Sequence, residues 1–283
     1  MTFTYDNAES SPLVFTNGVF DPRDGSFRPR AEADALGVVR DDLPYELPLH
    51  ADPTIQDEIN TFLSEVIPDQ ELREFLLLTM ALPLEGFNRH RLILIWMGLG
   101  LNGKSTLADL LKVAYNNCLR WPAFNIFSSC ASKTNRELEF GILRDSRLVL
   151  YTERHANVKL DIATVEAVVH GEPMKARTFW ERTCTFAPHF IPVILTNTLP
   201  FFDDDKDDNC RSRNLLTIIP FSTRFRTHPT DRPGERLADG HLRSKLRAWG
   251  PQFMLMLIDV YHRYLEAGRE LHIPHKVMAF KQL

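Results

Sequence analysis

Gly98, four residues, then Gly103, Lys104 and Ser105, within the stretch MGLGLNGKST, form the spacing G-x-x-x-x-G-K-S that can hold a triphosphate. Backbone N–H groups must converge on phosphate oxygens, and glycine lets the chain come that close. Lys104 would supply charge to the β and γ phosphates, and Ser105 a hydroxyl to Mg²⁺. A helix opening at that point would aim its positive end at the anion. Two further residues could act on the same phosphate. Glu153 ends the apolar run RLVLYTE, where an acid would position Mg²⁺ or polarise an attacking water. Asn197 ends FIPVILTN, as a turn former or as a sensor of the terminal phosphate.

These residues need rigid elements behind them. The run LILIWM before the loop reads as a buried strand, and Leu107, Leu110, Leu111 and Ala114 after it make a helical stripe, so strand, loop and helix come in the required order. Candidate strands at 92–97, 147–153, 190–197 and 215–221 are continuous apolar runs separated by helices. That is the texture of a largely parallel α/β sheet buried on both faces.

The remainder frames this core. Residues 1–50 read as a small β-rich segment, with turns at Asn17-Gly18 and Asp24-Gly25. Residues 51–88 read as a collar-like helical pair, with Ile55, Ile59, Phe62, Leu63 and Val66 on one face and Leu72, Phe75, Leu76, Thr79 and Met80 on the next. Asp52 or Thr54 can cap the first helix. The ATPase core is expected over 89–225 and a C-terminal helical region over 226–283, where RSKLRAW leads to Gly250-Pro251 and a second stretch closes at Gly268.

Composition excludes several classes. In 283 residues the chain carries a formal charge of −4, so its whole surface does not coat nucleic acid and any such contact must be local. Its longest apolar runs are about half of the ~20 residues that span a bilayer. The four cysteines are dispersed without a C-x-x-C pair, and ten histidines lack metal-ligand spacing. A soluble, intracellular protein is expected. One local basic segment, VHGEPMKARTFWER, interleaves Lys175, Arg177 and Arg182 with Phe179 and Trp180, the mixture of cations and stacking rings that suits a single strand.

Taken together, GLGLNGKST, RLVLYTE, VHGEPMKART, FAPHFIPVILTNTLP and IIPF, in that order, resemble the superfamily 3 helicases, specifically the primase-helicases of nucleocytoplasmic large DNA viruses and related phage and plasmid primase proteins. The resemblance covers nearly the whole chain. It implies an AAA+-like P-loop ATPase that assembles as a hexameric ring, moves along single-stranded DNA and works beside a primase. ATP and Mg²⁺ would be held by Gly98, Gly100, Asn102, Gly103, Lys104, Ser105 and Thr106. Glu153 would activate water and share the metal with Ser105, Asn197 would be the sensor, and Arg211 or Arg213 would reach into a neighbouring subunit's site. The segment from His170 through Lys175 and Arg177 would face the DNA channel. The lysine usual in that motif is missing from VEAVVHGEP, and His170 or Lys175 would substitute. Nothing resembles the catalytic acids of a primase.

Two other functions fit a P-loop chain. A kinase of a small acceptor would be a monomer or dimer needing no arginine in trans. A non-catalytic DNA-binding or loading factor would bind ATP without turning it over.

Overall fold

The computed structural model describes residues 10–30, 42–122, 126–153, 159–177, 184–202, 216–230 and 232–279. At the N-terminal end, β1 (Leu13–Val14), β2 (Gly18–Asp21) and β3 (Ser26–Pro29) form an antiparallel sheet in that order. The Asn17-Gly18 and Asp24-Gly25 pairs occupy its two turns, and Gly25 takes a positive φ of 76°.

The helical pair follows as α1 (Pro53–Val66) and α2 (Gln70–Ala81). Asp52 caps α1 by accepting from the Thr54 and Ile55 amides, and Asp69 caps α2 through Leu72. The expected apolar faces are buried, with Ile55 half-buried at the margin.

Five parallel strands build the central sheet: β4 (Ile93–Met97), β5 (Leu119–Arg120), β6 (Leu148–Thr152), β10 (Ile191–Thr196) and β12 (Leu216–Pro220). Their spatial order is β12-β4-β10-β6-β5. Each crossover returns through helix or loop. Between β4 and β5 lies α3 (Lys104–Tyr115), between β5 and β6 lies α4 (Lys133–Leu143), and the β6 to β10 segment holds β7 (Lys159–Leu160), α5 (Ile162–Val169), β8 (Met174–Ala176) and β9 (Cys184–Phe186). After β10 come β11 (Phe201–Phe202), which pairs with β7, then β12, and then the two-stranded ribbon β13 (Arg224–Arg226) and β14 (Glu235–Leu237). The chain closes with α6 (Leu242–Glu266) and α7 (His275–Ala279).

Alternate side chains of the parallel strands leave on opposite faces, which splits the core in two. Leu94, Trp96, Leu148, Leu150, Val193 and Leu195 join α1, α2, α3 and α6 in one apolar cluster that also takes in Leu13, Phe15 and Phe20. Ile93, Ile95, Val149, Tyr151 and Ile194 face a second cluster with α4, α5 and Phe190. Helix α6 runs unbroken through Gly250-Pro251 for 25 residues, where the sequence suggests a break. Gly250 lies so close to α3 that a Cβ there would meet Val113 Cγ1 at 2.3 Å. The close packing of two helices thus holds the proline-bearing turn in line. Gly268, at φ 73°, ends the helix as expected, with the Gly268 and Arg269 amides donating back to Leu265 and Tyr264. Among the described residues no helix is long and apolar enough to cross a membrane.

Candidate nucleotide site

Strand β4 ends at Met97, and the loop from Gly98 to Gly103 turns the chain into α3. Neighbouring strands fix the loop's shape. The Gly98 amide donates to Thr196 O at 3.1 Å, the Phe221 amide to Met97 O at 2.7 Å and the Phe225 amide to Leu101 O at 2.6 Å. Asn102, 3 % exposed, donates its side-chain amide to Phe221 O at 3.3 Å. Two glycines are sterically required. A Cβ on Gly98 would sit 2.1 Å from Asn102 Nδ2 and 2.5 Å from Phe221 O. One on Gly103, whose φ is +82°, would sit 2.6 Å from Val66 Cγ2. Gly100 forms the outer turn, its amide donating to Gly98 O at 2.9 Å.

Helices α1, α2, α4 and α5 each receive a side-chain cap from Asp52, Asp69, Ser132 and Asp161. Helix α3 has Gly103 at that position and no side-chain cap. Its first-turn amides therefore have no side-chain acceptor, as is also true of α6 behind His241. Lys104 is the first residue of the helix, 5 % exposed, and its ammonium donates to Gly98 O. Burial lowers its pKa to about 8, because the desolvated ammonium has lost part of its hydration. Ser105 is exposed and Thr106 half-buried on the same turn.

The strand order brings the remaining candidates to this edge. Thr196 is in register with Met97, and Leu195 with Thr152. Asn197, just past β10, therefore lies between the loop after β4 and Glu153 after β6. Glu153 is half-buried and its amide donates to Leu195 O at 2.8 Å, while Asn197 is exposed. Two strand spacings, about 10 Å, separate the ends of β4 and β6. Lys104, Asn197 and Glu153 thus share one edge of the sheet.

The DNA-facing candidates sit elsewhere. Strands β8 and β9 form an antiparallel hairpin with Lys175 opposite Thr185 and Ala176 opposite Cys184. Lys175 and Arg177 are exposed on it, while Ala176 is buried and Phe186 packs edge-on to Phe140 of α4 at 6.0 Å. His170 caps the C-terminal end of α5, its Nδ1 2.8 Å from Glu166 O. It lines a concavity with Arg91 and Leu92, at the edge where β4 begins, opposite the phosphate loop. The structure thus separates His170 from the nucleotide edge. Phe179, Trp180, Arg182, Arg211 and Arg213 lie outside the described residues.

Sequence reading overlooked the residues that brace the loop. Thr196, Phe221 and Phe225 act through backbone atoms or ordinary apolar side chains, so no residue type announces them. The ribbon β13–β14 is three residues per strand, too short for periodicity to show.

A five-stranded parallel sheet with a glycine-rich loop between its first strand and helix is a P-loop NTPase-like α/β fold. The apo structure of the NrS-1 C-terminal region (305–718) has the same fold, with a TM-score of 0.54 at 12 % identity, covering 96 % of this chain and 71 % of that one. No protein-family model matches the chain. Curated relatives come from nucleocytoplasmic large DNA viruses. "Putative helicase L207/L206" of Acanthamoeba polyphaga mimivirus is 27 % identical over 271 residues, 92 % of this chain and 28 % of that protein. "Putative helicase 121R" of Invertebrate iridescent virus 3 is 24 % identical over 227 residues, 78 % of this chain and 24 % of that protein. The chain is homologous to these helicase-named viral proteins, and spans under a third of their length.

Proposed function

We propose that the chain is the ATPase part of a DNA helicase or translocase of viral or phage-type replication. The observation that carries this reading is the convergence of Lys104, Glu153 and Asn197 on one sheet edge around an uncapped helix N-terminus. ATP with Mg²⁺ binds at the loop through the amides of Gly103 and the first turn of α3, the ammonium of Lys104, and Ser105 and Thr106; Gly98 and Gly100, whose amides donate to Thr196 O and Gly98 O, shape the loop together with Asn102. Ser105 and Glu153 would supply the metal's protein ligands. Glu153 takes a proton from the attacking water and Asn197 holds that water against the terminal phosphate. Arg211 or Arg213 is supplied across a subunit boundary, where an arginine stabilises the charge that develops on the phosphoryl group.

The assembly is a ring, hexameric by family resemblance, around single-stranded DNA, and the hairpin carrying Lys175 and Arg177 faces the strand. His170 is the weakest member of that set, because it sits at the far edge of the sheet. A primase activity would come from outside residues 1–283. The sequence divisions at 50, 88 and 225 serve as working boundaries. The relatives' helicase names and the hairpin's exposed cations favour this reading over a small-molecule kinase.

The test is ATP hydrolysis by purified protein with and without single-stranded DNA, together with strand separation on a forked duplex. Stimulation by DNA and its loss in Lys104→Ala are expected. Hydrolysis indifferent to DNA by a protein that stays monomeric with ATP would sink the motor reading.

A further inference from the structure

A cavity of about 1040 Å³ opens beside the phosphate loop, in the size class of small-molecule sites. One end is formed by Gly103 and Thr106, on the loop and the first turn of α3. From there the lining changes character. Near the loop the groups are donors, the uncapped amides of α3. Across the cavity, α1 presents Thr54, Asp57, Thr61 and Glu65, spaced one helical turn apart and therefore on one face. Their side chains offer oxygen acceptors. Glu58, on the same face, is already engaged, accepting from Lys245 Nζ at 3.0 Å and Trp249 Nε1 at 2.9 Å, and so fastens α1 to α6.

Apolar surface completes the lining. Leu101 is 68 % exposed and Leu237 65 % exposed, both unusual for large aliphatic side chains, and both line this cavity with Phe225. The Phe225 amide bond to Leu101 O ties the ribbon to the phosphate loop, so these apolar groups are held in place together. Donors, then acceptors beside apolar faces, is the complement of a nucleoside triphosphate. Its phosphates accept, its ribose hydroxyls and exocyclic amino group donate, and its base is flat and apolar on both sides.

We propose that this cavity receives the nucleoside half of the nucleotide, with the base against Leu101, Phe225 and Leu237 and its donor groups met by the acceptor face of α1. The inference rests on the phosphate-loop reading above. It adds that α1, which the sequence presents only as part of a collar, is a wall of the nucleotide site. Because ionised carboxylates accept but do not donate, Asp57 and Glu65 favour a base with an exocyclic amino group over uracil, whose two exocyclic groups are carbonyl oxygens. ATP is thereby preferred over UTP.

Photolabelling with 8-azido-ATP and Mg²⁺, followed by peptide mapping, tests this directly. Label is expected within 53–66 or 224–242, displaced by ATP at about tenfold lower concentration than by UTP, a difference of one hydrogen-bonded or apolar contact. Leu237→Ser and Glu65→Gln, both at solvent-accessible positions, are each expected to weaken ATP displacement about tenfold. Label in other peptides, absence of label, equal displacement by ATP and UTP, or indifference to both variants would overturn the proposal. Lys104→Ala separates it from the reading beneath it. Undiminished label in the cavity of that variant would topple the phosphate-loop assignment and leave the cavity standing. Label that depends on Lys104 but maps elsewhere would remove the cavity alone.

Discussion

Lys104 holds an ammonium out of water against a backbone carbonyl, and burial brings its pKa down to about 8. That arrangement costs stability in the empty protein, and a bound phosphate would relieve it. Lys104→Met keeps the apolar stem and removes the charge. Its melting temperature without nucleotide is expected to equal or exceed that of the parent, while the upward shift on adding Mg-ATP disappears. Thermal scans with and without nucleotide check both. Glu153→Gln is expected to slow hydrolysis at least ~100-fold, the lower range of general-base contributions, while ATP binding measured by calorimetry persists. Lys104 stood out in the sequence through the G-x-x-x-x-G-K-S spacing, and Glu153 and Asn197 because each ends a continuous apolar run. Asn102 was legible only through family resemblance, and its bond to Phe221, 119 residues away, was not. A hydrogen bond to a distant carbonyl leaves no local pattern.

Four of the five core strands were readable for a physical reason, while β5, two residues long, was not. Parallel strands buried on both faces are apolar throughout, so LILIWM, RLVLYTE, FIPVILTN and LLTIIPF stand out without alternation. Their order was not readable, since the insertion of β10 between β4 and β6 depends on pairings about 100 and 40 residues apart in sequence. Gly250-Pro251 misled in the opposite direction. A proline in a helix removes one hydrogen bond, but here the missing Cβ of Gly250 lets α6 lie against Val113. Gly250→Ala should therefore destabilise by about 1–3 kcal/mol through overpacking, although alanine alone would favour a helix by about 1 kcal/mol. Urea unfolding measures the sign. Arg147, 2 % exposed, joins elements that no periodicity links: it donates to Leu84 O at 2.9 Å, Ser11 O at 3.0 Å and Pro12 O at 2.6 Å. Arg147→Met is expected to cost about 3 kcal/mol, since three carbonyls, that of Leu84 buried, lose their donor, and to expose residues 10–29 to protease.

For the molecule as a whole, acid is the weak direction. His90 and His189 are half-buried, and desolvation holds both imidazoles below their usual 6.5. The unfolded chain therefore takes up protons first as pH falls through 6.5, so stability is complete above that value and declines below it. The melting temperature should be level from about pH 7 to 8 and fall between about 6.5 and 5, with a shallower decline in His90→Gln. Carboxylates such as Glu58 and Asp69, held below their usual range by Lys245 and Lys276, add to the loss only at lower pH.

Helix α6, about 37 Å long at 1.5 Å per residue, touches α3 at Gly250, α1 at Trp249 and the turns of the N-terminal sheet at Tyr261 and His262, whose side chains bond Pro22 O and Gly25 O at 2.9 and 2.7 Å. A rod pinned at both ends cannot tilt at one without levering the other. Movement of the helix behind the phosphate loop must therefore either carry the N-terminal strands with it as a single stiff body or snap one of those fastenings.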